Sequence, residues 1–231
     1  MLRALLADAA ALFFPQVCLA CQESLTSGEQ HLCTPCRIEL PYTGYHLLPP
    51  ADNPLSRRFW GKLPVAQVLS YLRFVRQGRT QRLLHQLKYR GQRHLGHVLG
   101  RLYGAELTAM PFAQDFQLVV PVPLHPRKLA RRGYNQAEAF GAGLAEMLGL
   151  RCYPHALRRT THTNSQTRKS RTERWQNVAA VFEAATPEVV KNQHVLLVDD
   201  VLTTGATLEA CAQVLLAAGA RTVSIATIAA A

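Results

Sequence analysis

No apolar run in this chain approaches the ~20 residues that a membrane-spanning helix needs, so insertion into a bilayer is not expected. Internal repeats and low-complexity tracts are also missing, which excludes solenoids and fibrous arrays. Acidic residues are scarce, 15 against 26 lysines and arginines, leaving a formal charge of +11. Between Asp52 and Glu106 there is none, while Arg57, Arg58, Lys62, Arg73, Arg76, Arg79, Arg82, Lys88, Arg90, Arg93 and Arg101 all occur. A surface of that sign suits polyanions, a diphosphorylated sugar locally or nucleic acid more broadly, the plainer alternative being a soluble basic protein. No long contiguous Lys/Arg run exists, so a nucleic-acid footprint would have to be assembled by the fold.

What is present is enough apolar residue for a large core: 231 residues, 48% hydrophobic. Near the N-terminus, Leu2, Leu5, Leu6, Ala9, Leu12 and Phe13 recur at helical spacing. They predict a packing helix over about 2–13, with a secretory leader as the alternative. Four of the six cysteines form two knuckles, Cys18-x2-Cys21 and Cys33-x2-Cys36. Four thiolates satisfy tetrahedral zinc with no position left open, which describes a structural site. Two disulfides or a redox dithiol would use the same residues, but no secretory context favours disulfides and a redox site needs one knuckle. Cys152 and Cys211 lie outside the knuckles, and Cys211 falls in an apolar helical pattern, as a core thiol does.

Residues 41–64 are rich in breakers, Pro41, Gly44, Pro49, Pro50 and Pro54 among them. Beyond them the pattern alternates: a strand over 65–75, helices within 79–108 broken near Gly91, and a strand over 117–122. A helix from Gln136 to Leu148 stopped by Gly149, a polar loop over 158–176 and a strand over 178–182 come next. A motif strand, its helix to Ala218, and a last strand near 222–228 complete the series. Alternating strands and helices predict an open α/β parallel sheet. The expected organisation is an N-terminal helix and zinc module at 1–40, a hood or bridge at 41–110 and a core at 111–231.

The most informative stretch is VLLVDDVLTTGAT, residues 195–207. An apolar strand ends in Asp199 and Asp200, then the small-residue turn Thr203, Thr204, Gly205, Ala206, Thr207 opens a helix. Strand, loop and helix N-terminus together aim backbone N–H groups and a positive dipole end at one point, where a phosphate fits. The threonine hydroxyls add donors, and the carboxylates suit sugar hydroxyls. The bland alternative is a buried strand with a capped turn. This element resembles the PRPP-binding signature of type I phosphoribosyltransferases. The resemblance implies that Asp199 and Asp200 hold the ribose and residues 203–207 the 5′-phosphate.

A second constellation, PVPLHPRKLARRGYNQ over 121–136, stiffens a strand exit with Pro121, Pro123 and Pro126 and follows it with Arg127, Lys128, Arg131 and Arg132. A rigid loop there can hold a second anion, the plainer reading being a proline-rich surface turn with solvated charges. In the resembled fold this is the pyrophosphate loop, which brings Pro123 and Leu124 into the PRPP contacts and gives Arg127 and Lys128 the leaving group. Lys88-Tyr89-Arg90-Gly91, this loop, Gln166, Glu173-Arg174, Asn177-Val178 and the motif at 195–207, read in order, resemble the ComF family (ComFC and GntX-like proteins). The four-cysteine module fits that family too. Membership implies a zinc module fused to a phosphoribosyltransferase-like domain in the cytoplasm, Mg²⁺ with PRPP, and a link to DNA uptake or utilisation. Either an enzyme moving phosphoribose to an acceptor or a non-catalytic module holding single-stranded DNA, acting with DNA-uptake proteins, is compatible. The loop at 158–176 is expected to close over the ligand, with Arg168, Lys169 and Arg171 as contacts. Thr203 stands where purine-salvage relatives carry an aspartate, which argues against a hypoxanthine or guanine acceptor. Tyr71, Lys88 and Tyr89 are expected in the hood, and His125 is the one histidine placed to act.

Overall fold

The computed structural model describes residues 16–160 and 181–231. The expected helix over 2–13 and the loop residues 161–180, Arg168 included, lie outside them. The centre is a five-stranded sheet, every pairing parallel: β1 (Val65–Arg73), β2 (Leu118–Pro121), β3 (Arg151–Cys152), β6 (His194–Leu202) and β7 (Thr222–Ala230), in the order β1-β7-β6-β2-β3. A separate antiparallel pair joins β4 (Leu157–Arg159) to β5 (Phe182–Ala184). The polar loop expected from 158 therefore begins as strand, because Arg158 pairs with Glu183 in both backbone and side chain. Among the described residues no helix is long and apolar enough to cross a membrane.

β6 is central and parallel, so it is covered on both faces and reads as a nearly unbroken apolar run, with His194 through Val198 all buried. Its side chains alternate between two cores. Leu196 and Val198, with Val119, Ala226 and Ile228, face helices α2 (Arg79–Tyr89), α3 (Arg93–Leu107) and α5 (Gln136–Leu148). Val195 and Leu197, with Leu118, Val120, Val223 and Ile225, face α7 (Ala206–Ala217) and the 55–63 segment. Short helices α1 (Thr34–Glu39), α4 (Pro126–Arg132) and α6 (Pro187–Val190) complete the set. β1 comes from within 41–110, so the stretch set apart as a bridge supplies the edge strand of the core sheet.

α3 and α5 cross with backbones touching. Gly96, Gly100 and Gly104 recur every fourth residue along α3 and share one face. A Cβ on Gly100 would lie 2.1 Å from the Phe140 carbonyl oxygen, and one on Gly143 would lie 2.1 Å from that of His97. This crossing sets the position of the N-terminus of α5, which borders the site.

Candidate functional site

β2 ends at Pro121, opposite Val198, while β6 runs on, paired with β7 alone. Asp199 and Asp200 are the first residues beyond that end. The chain leaves β6 through α7 on one face of the sheet and leaves β2 through α4 and α5 toward the other. The acidic pair thus occupies the crevice where adjacent strands send their connections in opposite directions, the usual ligand position in open α/β sheets. The Asp200 amide donates to Asp199 Oδ1 at 2.8 Å. Burial, and then the charge of Asp200, push the Asp199 carboxyl up to about 8. Two adjacent carboxylates in so dry a place call for cationic or hydroxyl partners.

One such partner is present. Lys88 Nζ lies 3.0 Å from Asp200 Oδ2, with side chains only 25% and 16% exposed. Lys88 belongs to the last turn of α2, and the preceding Leu87 carbonyl anchors that turn: it accepts from the Tyr134 hydroxyl and, at 3.5 Å, from Gln136 Nε2. The Arg132 guanidinium sits over the Tyr89 ring, 5.6 Å from its centroid, and donates to Gln136 Oε1 at 2.8 Å. Sequence reasoning put Lys88 in a hood and did not rank it with the site residues. The signal was the motif Lys88-Tyr89-Arg90-Gly91 itself. Tyr71, expected beside it, is instead buried, stacked on Tyr103 and tilted against Tyr42, because β1 turns it into the core two strands away from β6.

The turn after β6 is open: Thr203, Thr204, Ala206 and Thr207 are exposed and only Gly205 is buried. Gly205 adopts φ +84°, and a Cβ there would come within 3.2 Å of Phe59 Cζ. Gly205, the N-cap of α7, has no side chain to close the helix end, and the Ala206 amide is met only by Thr204 Oγ1 at 3.5 Å, so the first turn faces the open turn as an anion site requires. The turn is braced from beneath by the buried Phe59 and from the side by Arg58, which donates to the carbonyls of Thr203 and, at 2.6 Å, Ala231. Both braces went unrecognised in the sequence, where Arg58 reads only as a member of a basic stretch and Phe59 carries no signal.

The exit of β2 differs from expectation. Pro123, Leu124 and His125 are partly buried, but the basic residues beyond them sit on α4, a two-turn helix, rather than in an irregular loop. Pro126 fits the first helical position, His125 Nδ1 caps the helix by accepting from the Arg127 amide at 3.1 Å, and Gly133 ends it at φ +77°. His125 is thus a cap. Arg127 and Lys128 are exposed, and among the described residues no contact ties them to Asp199 or Asp200. Asn135 caps α5 and donates to the Val122 carbonyl at 2.9 Å, locking the β2 exit to that helix.

The ligand atoms of Cys18, Cys21, Cys33 and Cys36 all lie within 4.8 Å of one another, with the Cys21 and Cys33 sulfurs 3.7 Å apart. A tetrahedron with Zn–S bonds of about 2.3 Å has S–S edges of ~3.8 Å, so the cluster fits a metal ion of that size. Burial raises the Cys18 thiol, but the amides of Cys33, Cys21 and Ala20 outweigh it and bring the group down to about 7, whereas burial holds Cys33 and Cys36 above the ordinary thiol value, as expected of close thiols whose charge only a cation would balance. The module is not a loose appendage. Leu19 and Leu32 share a core with Leu83, Leu84 and Leu87 of α2, and Arg79 pairs with Glu39 at 2.6 Å.

The model of the phosphoribosyl transferase domain family matches residues 139–231. Over 221 residues the chain is 30% identical to the DNA utilization protein YhgH of Salmonella typhimurium, covering 91% of this chain and 95% of the relative. To competence protein F of Haemophilus influenzae it is 27% identical over 230 residues, covering 92% and 96%. Among solved structures, the glutamine phosphoribosylpyrophosphate amidotransferase of B. subtilis aligns at a TM-score of 0.43 and 22% identity, covering 58% of this chain and 26% of the other.

Proposed function

The chain belongs to the ComF family of phosphoribosyltransferase-like proteins, and from that premise we propose that it binds PRPP in the crevice between β2 and β6. One observation carries this reading: two carboxylates beyond the end of β2 stand beside an open threonine turn at a helix N-terminus whose N-cap is Gly205. A ribose with hydroxyls at one end and phosphate at the other needs both. Asp199 and Asp200 accept from the ribose hydroxyls. Thr203, Thr204, Gly205, Ala206 and Thr207 receive the 5′-phosphate. Pro123 and Leu124 border the diphosphate, with Arg168 belonging to the same proposal on sequence grounds. Mg²⁺, which takes carboxylate and water oxygens, fits beside the acidic pair and would neutralise charge on the diphosphate. Zinc is the metal proposed for the four cysteines, in a structural role.

Transfer would form a bond between C1 of the ribose and an acceptor while the C1–O bond to pyrophosphate breaks, Arg127 and Lys128 meeting the charge on the leaving group. The relatives named for DNA utilization and competence support a role in DNA uptake or utilisation, and a cytoplasmic location belongs to the same proposal. A non-catalytic module holding single-stranded DNA is the second reading. It is favoured by the exposed Trp60, with Arg57 5.9 Å from its ring centre in a stretch without acidic residues. Calorimetric titration with PRPP and Mg²⁺ tests the main reading. Asp199→Asn with Asp200→Asn is expected to weaken binding at least about tenfold, since hydrogen bonds to charged groups are worth ~1.5–3 kcal/mol each. Full affinity in that double variant would sink it. Salt-sensitive binding of a short single strand by the same variant would support the second reading.

A further inference from the structure

We infer that Lys88 is the residue that selects a ribose carrying a diphosphate at C1, exchanging Asp200 for that diphosphate when the ligand enters. The inference rests on the proposed PRPP site. Lys88 Nζ engages Asp200 Oδ2 at 3.0 Å in a setting where neither side chain is more than 25% exposed. A sugar hydroxyl that donates to Asp200 Oδ2 competes with Lys88 for that oxygen. A buried ammonium stripped of its partner is costly, so ligand entry must give Lys88 a replacement anion. The hydroxyls that the acidic pair would hold are on C2 and C3, and C2 is bonded to C1. A cation touching Asp200 is therefore within a side chain's swing of a group bonded to C1.

The backbone that carries Lys88 is held for such a role. The Tyr134 hydroxyl donates to the carbonyl of the fully buried Leu87, and Gln136 Nε2 approaches the same oxygen. Arg132 covers Tyr89 on the other side. The main chain at 87–89 is thus tied to the start of α5 while the long Lys88 side chain keeps its own rotamers. A fixed base with a movable ammonium can leave one carboxylate and reach a neighbouring phosphate without moving α2. In the empty site the same lysine balances the charge of Asp200. The acidic pair alone would grip any ribose phosphate. Lys88 makes the grip depend on what C1 carries, because only a diphosphate compensates for the ion pair given up.

The experiment is a pair of calorimetric titrations with Mg²⁺, one using PRPP and one using ribose 5-phosphate, which keeps the hydroxyls and the 5-phosphate but lacks the diphosphate. Lys88→Gln is expected to weaken PRPP by about tenfold or more, the scale of one charge-assisted contact, and to leave ribose 5-phosphate unchanged or tighter. Lys88→Arg, which keeps the charge, should retain most PRPP affinity, and thermal melts would confirm that both variants fold. Equal weakening toward both ligands would overturn the inference, since Lys88 would then merely position the acidic pair. Unchanged affinity for both in Lys88→Gln would overturn it as well. If the wild-type protein bound no PRPP, the proposed function itself would fall and this inference with it.

Discussion

Replacing Gly100 by alanine should destabilise this protein, although alanine is the better helix former. In an exposed helix interior, Gly→Ala stabilises by about 1 kcal/mol through backbone entropy. At Gly100 the added Cβ would fall 2.1 Å from the Phe140 carbonyl oxygen and 2.9 Å from the Leu144 amide nitrogen. Both are backbone atoms of α5, so no rotamer change relieves the overlap, and the helices must separate by roughly 1 Å to restore ordinary contact. Such separation loosens Leu95, Leu99, Phe140 and Leu144, all fully buried. Overpacking of this kind costs about 3 kcal/mol at its upper end, leaving a net loss of ~2 kcal/mol after the propensity gain. For a chain of this size that corresponds to a melting temperature lower by about 4–8 °C. Gly143→Ala, with its Cβ 2.1 Å from the His97 carbonyl oxygen, should behave alike. Gly104→Ala meets Met147 Cβ at 2.7 Å, an atom fixed by its backbone but less deeply overlapped, and should cost less. Urea and thermal unfolding of the three variants give the ranking. A Gly100→Ala protein as stable as the parent would refute backbone contact between α3 and α5.

Three further outcomes are expected. Gly205→Ala and Gly149→Ala each force a side chain into positive φ, +84° and +67°, at about 1–2 kcal/mol. Only Gly205 adds the 3.2 Å approach to Phe59, so it should lose more in thermal unfolding and also lose PRPP affinity, and equal losses would refute the brace. Asp199 keeps its proton in the folded state up to about 8, against 3.8 for an ordinary aspartate, so the folded protein binds the extra proton between those values. Stability should therefore fall as pH rises from about 4 to 8 and level off above, and Asp199→Asn should flatten that slope in urea titrations, with an unchanged slope counting against it. Serine at Cys18, Cys21, Cys33 or Cys36 should abolish zinc in metal analysis and lower the melting temperature, because the knuckles share a core with α2. Full zinc content in any of these variants would refute the four-thiolate site.

Local chemistry was legible in the residues alone. The run from Val195 to Val198, closed by a glycine turn, reads as a strand buried on both faces, and Gly149 and Gly205 stand where a helix or turn needs positive φ. Two Cys-x2-Cys knuckles bring four thiols together by spacing. Such features depend on neighbours a few residues away, which the chain order supplies. The tertiary structure decided which distant surfaces meet. Lys88 reaches Asp200, and Phe59 supports Gly205, only because crossovers bring α2 and the 55–63 segment to the end of β6. The glycine spacing at 96, 100 and 104 marks a face of α3 that can approach closely, but not that α5 would fill it. Tyr71 illustrates the same limit: its apolar alternation predicts a strand, while its burial beside Tyr103 follows from β7 taking the place next to β6. Periodicity states which side of an element is apolar; the order of strands and the hand of their connections state what covers it.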